Sequence, residues 1–135
     1  MTVMLTGQCQ CGAIRYTVQG DPAYSALCHC GDCRASAGAP MVGWALFPED
    51  KLIISGEPVS YRSSENAIRQ FCGTCGTGLF YRNPVVFPGG IDLQTATLDD
   101  QDAIPPQAHI QWAEAAPWVK AIQDLPRFDR YPEAP

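Results

Sequence analysis

Seven cysteines in a chain of 135 residues fall into three tight groups: Cys9-Gln10-Cys11, Cys28-His29-Cys30-Gly31-Asp32-Cys33 and Cys72-Gly73-Thr74-Cys75. Sulfurs one or two residues apart come from a single turn, and distant pairs complete a metal site only if the fold brings them together. The grouping therefore constrains the chain more than any other feature. Two pairs supply four thiolates, and the triple leaves a second ion one protein ligand short.

The odd count of cysteines argues against a closed disulfide set. The N-terminal run has no basic segment followed by a long apolar one, and no window is apolar for long enough to span a bilayer, so a cytoplasmic location and no membrane partner are expected. In that compartment thiols stay reduced, and clustered cysteines point to metal or redox chemistry. Hydrophobic residues make up 46% and charged residues 17%, enough to bury a core without cysteine staples. A single zinc-binding domain over 1–135 is expected. The formal charge is −5, the reverse of a phosphate-binding surface, so no nucleic-acid partner is expected.

Glycine and proline, twelve of each, cut the chain into short pieces. Ala13 to Val18 alternates as a half-buried strand. Pro40 to Phe47 reads as a buried strand. Lys51–Ser55 and Val59–Arg62 read as paired strands about Gly56-Glu57-Pro58. Ala67–Phe71 and Gly78–Arg82 flank the last cysteine pair as a hairpin. Further strands are expected over Ile91–Thr97 and near Ala108–Trp112. Helix is confined to a turn over Asp32–Ala37 and a segment over Pro117–Ile122, with proline at its first position. The tail from Pro126 reads as a surface strap, and Asp99–Asp102 as a solvated loop. The fold class is mostly β with little helix.

Cys9, Cys11, Cys72 and Cys75 offer four soft ligands suited to tetrahedral zinc, with four-thiolate iron as the alternative. A closed site of this kind contributes to folding. Cys28, Cys30 and Cys33 can hold a second zinc, whose fourth ligand would be His29, His109, water or a substrate thiol. An exchangeable position is the pattern of catalytic zinc. The competing readings are a structural zinc closed by His109, and a Cys30–Cys33 dithiol switch. Arg34 is a candidate partner for a substrate carboxylate, with Arg62, Arg69 and Arg82 behind it. Trp44, Phe47 and Trp118 are candidate pocket walls. His109 is either a general base or a packed histidine.

Cys9-x-Cys11-Gly12, Cys28-His29-Cys30-x-x-Cys33-Arg34 and Phe71-Cys72-x-x-Cys75-Gly76-Thr77 resemble the glutathione-dependent formaldehyde-activating enzyme family. His109-Ile110, Pro117-Trp118 and Leu125-Pro126-x-Phe128 are similar to its C-terminal pattern. The resemblance implies an Mss4-like (β-tent) fold. It assigns a structural zinc to Cys9, Cys11, Cys72 and Cys75, and a catalytic zinc to Cys28, Cys30 and Cys33. It also implies the joining of formaldehyde to glutathione as S-hydroxymethylglutathione, a carbon–sulfur lyase reaction read in reverse. Glutathione or a related small thiol is the implied partner, with room for a homodimer. The same fold class includes non-enzymatic interaction modules, and centromere protein V carries a related domain.

Overall fold

In the computed structural model, which describes residues 3–133, the chain folds into two β-sheets with one short α-helix. β1 (Met4–Gln8) and β2 (Arg15–Gln19) pair antiparallel across the turn that carries Cys9 and Cys11. β3 (Tyr24–Cys28) leads straight into the cysteine triple, and α1 (Gly31–Ala37) follows. Then come β4 (Val42–Pro48), β5 (Leu52–Ser55), β6 (Val59–Arg62), β7 (Ile68–Phe71), β8 (Gly78–Arg82), β9 (Gly90–Gln94) and the two-residue β10 (His109–Ile110).

The smaller sheet has the order β1-β2-β5, and the larger has the order β10-β3-β4-β9-β8-β7-β6. Every pairing between these strands is antiparallel except β10 with β3. This mostly β architecture is the Mss4-like class expected from the sequence. Among the described residues no helix is long and apolar enough to cross a membrane. Residues 1–2 and 134–135, the ends of the expected domain, lie outside the described residues.

Strand alternation sorts the large sheet into two faces. Ala45 and Phe47 of β4, with Ile91 and Leu93 of β9, are buried in the main core beside Tyr16 and Val18 of β2 and Leu79 and Phe80 of β8. The Tyr16 and Phe80 rings meet edge to face, with centroids 5.4 Å apart at 74°. Each such apolar side chain contributes roughly 1.5–3 kcal/mol by leaving water. The intervening residues, Trp44, Leu46 and Asp92, turn to the opposite face and line a cavity.

Several expected elements change partner or extent. Lys51–Ser55 and Val59–Arg62 do not pair with each other: β5 joins β2, and β6 joins β7. Gly56 separates them with φ of +98°, so its turn hands the chain from one sheet to the other. The strand expected over Ile91–Thr97 ends at Gln94, where Thr95–Thr97 form a 3-10 turn. The strand expected near Ala108–Trp112 keeps only His109 and Ile110, because Gln111 takes a left-handed conformation with φ of 54°. Pro117–Asp124 is 3-10 helix with a kink at Ala121. The 126–133 tail is exposed throughout.

Candidate metal centres and the adjoining cavity

The first pair of cysteines sits on the β1–β2 turn. Cys9 N–H donates to Ile14 O at 3.0 Å, and Ile14 N–H donates to Cys9 Sγ at 3.3 Å. The second pair sits on the β7–β8 turn, where Thr74 and Cys75 N–H both donate to Cys72 Sγ at 3.4 Å. Glycine follows each pair, with φ of +80° at Gly12 and +83° at Gly76. That left-handed conformation lets the chain fold back toward the sulfurs. The two turns are tied together by Gln10 N–H donating to Thr77 Oγ1 at 3.1 Å.

All four sulfurs lie within 4.8 Å of one another. Cys9 and Cys11 Sγ are 3.7 Å apart, as are Cys11 and Cys72 Sγ. These cysteines are free, and the spacing is far beyond a disulfide bond. Tetrahedral zinc with bonds of about 2.3 Å places its sulfurs roughly 3.8 Å apart, so the donor set fits zinc in kind and in spacing. The Thr77 hydroxyl holds the Cys75 thiol down at about 5. Cys11, by contrast, despite a backbone hydrogen bond from Ala13, is raised to about 11 by burial and the neighbouring sulfurs. The four therefore do not ionise together without a cation.

Cys28 ends β3, Cys30 caps α1, and Cys33 lies in that helix. Cys33 N–H donates to Cys30 Sγ at 3.3 Å. The three sulfurs also lie within 4.8 Å of one another, and among the described residues no histidine, aspartate or glutamate joins them. Burial pushes the Cys28 thiol up to about 12 and raises Cys30 as well. A cation is what turns such a trio into thiolates, so a soft divalent ion fits here too, with a position left over.

Neither histidine fills that position. His29 is fully buried, and its Nε2 lies 2.8 Å from His109 Nδ1. Burial lowers its pKa. Trp112 stands edge-on to His29, and Glu114 Oε1 accepts from Gly31 N–H at 3.1 Å. The segment around β10 thus clamps the cysteine loop from outside, and His109 belongs to that clamp.

The open side of the loop faces a cavity of about 420 Å³. Cys28, Cys30 and Cys33 contribute to its lining, with Trp44, Tyr81 and Phe87 among its aromatic walls. Of the other expected walls, Phe47 is buried in the main core and Trp118 is 55% exposed, away from the cavity. Arg34 is also elsewhere, donating from Nε to the His29 carbonyl at 3.1 Å. The arginine that reaches the site is Arg69. Its Nη2 lies 3.6 Å from Cys33 Sγ, and its guanidinium stands 5.0 Å from the Tyr81 ring centroid. Asp92, which the sequence pattern does not single out, lines the same cavity, and burial raises its carboxyl to about 6.

A glutathione-dependent formaldehyde-activating enzyme model matches residues 4–114, and the chain belongs to that family. A protein of Halomonas elongata, provisionally named glutathione-dependent formaldehyde-activating enzyme, is 28% identical over 130 residues, covering 87% of this chain and 81% of its own. An uncharacterized lyase of Schizosaccharomyces pombe is 29% identical over 105 residues, covering 73% of this chain and 77% of its own. A crystal structure of a Rhodobacter sphaeroides protein superposes with a TM-score of 0.60 at 20% identity, covering 78% of this chain and 99% of that one. This last likeness concerns the fold.

Proposed function

We propose that the chain is a carbon–sulfur lyase-type enzyme, joining glutathione or a related small thiol to formaldehyde or another aldehyde. The supporting observation is a cluster of three sulfurs, joined by no fourth cysteine, histidine or carboxylate among the described residues, opening onto a cavity large enough for a small thiol. In this reading Cys9, Cys11, Cys72 and Cys75 hold a structural zinc, and Cys28, Cys30 and Cys33 hold the reactive one. When bound there, zinc supplies Lewis acidity that keeps a thiol ionised at neutral pH.

The protein's part is positioning. Trp44, Leu46 and Ile110 give the cavity apolar walls that limit water around the reacting atoms. Holding thiol and carbonyl in one pocket replaces a bimolecular encounter by a local one. The sulfur bonds to the carbonyl carbon, the carbon–oxygen π bond opens, and the proton released by the thiol is balanced by one gained at oxygen. The product is a hemithioacetal, and the reverse reaction is the lyase direction.

The decisive experiment is aldehyde consumption with glutathione, measured above the spontaneous rate, for native protein and for Cys30→Ser with Cys33→Ser. The double variant is expected to fold, keep one zinc of two, and fall to the spontaneous rate. Equal rates for native and variant protein would remove the enzymatic reading and leave a zinc- or glutathione-binding module.

A further inference from the structure

Three charged residues line the cavity, Asp32, Arg69 and Asp92, and among the described residues none of them forms an ion pair with a charged partner. Asp32 is exposed, whereas Arg69 and Asp92 lie deeper in the wall. Arg69 is 9% exposed, and its Nε has no hydrogen-bond partner. Its guanidinium has the Cys33 sulfur and the Tyr81 ring beside it. Among the described residues the one ion pair joins Arg82 to Glu49, so Arg69 and Asp92 do not neutralise each other.

Strand register explains why. Asp92 lies opposite Tyr81 across β8–β9, and Tyr81 lies opposite Arg69 across β7–β8. The two charged residues therefore start two strand spacings apart, roughly 10 Å, with Tyr81 between them. Arg69 directs Nη2 to the Cys33 sulfur but leaves its buried Nε unpartnered, and the half-buried Asp92 has no cation paired with it among the described residues. Leaving such groups unsatisfied is costly, and a ligand that brings the complementary group removes that cost. The arginine fork suits a carboxylate, and an ionised aspartate accepts an ammonium group.

We propose that Arg69 and Asp92 are complementary charge receptors that select thiols by their charged groups, Arg69 taking a carboxylate and Asp92 an ammonium. The proposal rests on reading the cavity as a thiol site.

The test is calorimetric binding to the zinc-loaded protein at pH 7.5 without aldehyde, using three probes: 3-mercaptopropionate, cysteamine and 2-mercaptoethanol. Arg69→Gln is expected to weaken 3-mercaptopropionate about tenfold and leave the other two within about twofold. Asp92→Asn is expected to weaken cysteamine about tenfold and spare 3-mercaptopropionate. Zinc per chain should stay at the native value in both.

Parallel losses for all three probes, unchanged affinities, or no thiol binding by the native protein would overturn the assignment. Should Arg69→Gln fail to fold, Arg69→Lys keeps the charge without the fork, and a loss confined to 3-mercaptopropionate is expected. Charge-selective binding without aldehyde turnover would sink the lyase reading and leave the receptors standing. Turnover with charge-blind binding would do the reverse.

Discussion

His29 Nε2 and His109 Nδ1 meet at 2.8 Å, joining the middle of the cysteine triple to the short parallel strand on the sheet edge. His29 is fully buried, so this contact satisfies a nitrogen that water does not reach. His109→Ala is expected to cost about 1–3 kcal/mol in urea unfolding. It should also speed metal release from the three-sulfur loop while sparing the four-sulfur centre. Two-phase chelator kinetics check this, and unchanged release from both sites would count against the clamp.

The four-sulfur centre should behave differently. Structural zinc contributes about 10–16 kcal/mol in small zinc domains, comparable to the whole stability of an ordinary domain. Cys72→Ser is expected to abolish folding, whereas Cys30→Ser leaves native circular dichroism. Zinc content and near-ultraviolet spectra on both variants check the contrast.

Asp92 makes stability depend on pH. Its carboxyl rises from 3.8 to about 6 on burial. Well below pH 4 it is protonated in both folded and unfolded chains. As pH rises the unfolded chain ionises first, so stability falls until about pH 6 and is level above, by at most about 3 kcal/mol. Asp92→Asn is therefore expected to be more stable than native protein at pH 7.5. The advantage should shrink toward pH 4, as parallel melting curves would show.

Gly7 has no room for a side chain. A Cβ there would run into the end of the Tyr16 ring and lie 2.7 Å from the Thr97 carbonyl. The Tyr16 hydroxyl is fixed by Thr97 Oγ1 at 2.8 Å, so the ring cannot simply swing away. Gly7→Ala is expected to cost about 1–3 kcal/mol and lower the melting temperature by several degrees. An unchanged melting temperature would show that the ring yields.

The sulfur groups are legible in the sequence because ligand spacing is a local property, and the β7–β8 hairpin is legible because its knuckle lies between two strand patterns. Partner choice is not. Leu52–Ser55 and Val59–Arg62 look like a hairpin locally, yet burial of Tyr16 and Val18 draws β5 to β2 instead. β1 leaves little signal because Met4 is exposed and the strand lacks regular alternation. Arg34 draws attention by adjacency to Cys33, but its side chain binds the His29 carbonyl. Arg69 stands 36 residues from Cys33, and only cross-strand register brings it there. Its place just ahead of the Cys72 knuckle is the available hint.

One hairpin carries both the Cys72–Cys75 knuckle at its tip and Arg69 and Tyr81 along its arms. With ions held at both clusters as proposed, stripping them would therefore slacken the pocket wall as well as empty the loop. Lost activity after such treatment conflates a mechanical fault with a chemical one, and exchange of the ion at the Cys28 loop alone is what tells them apart.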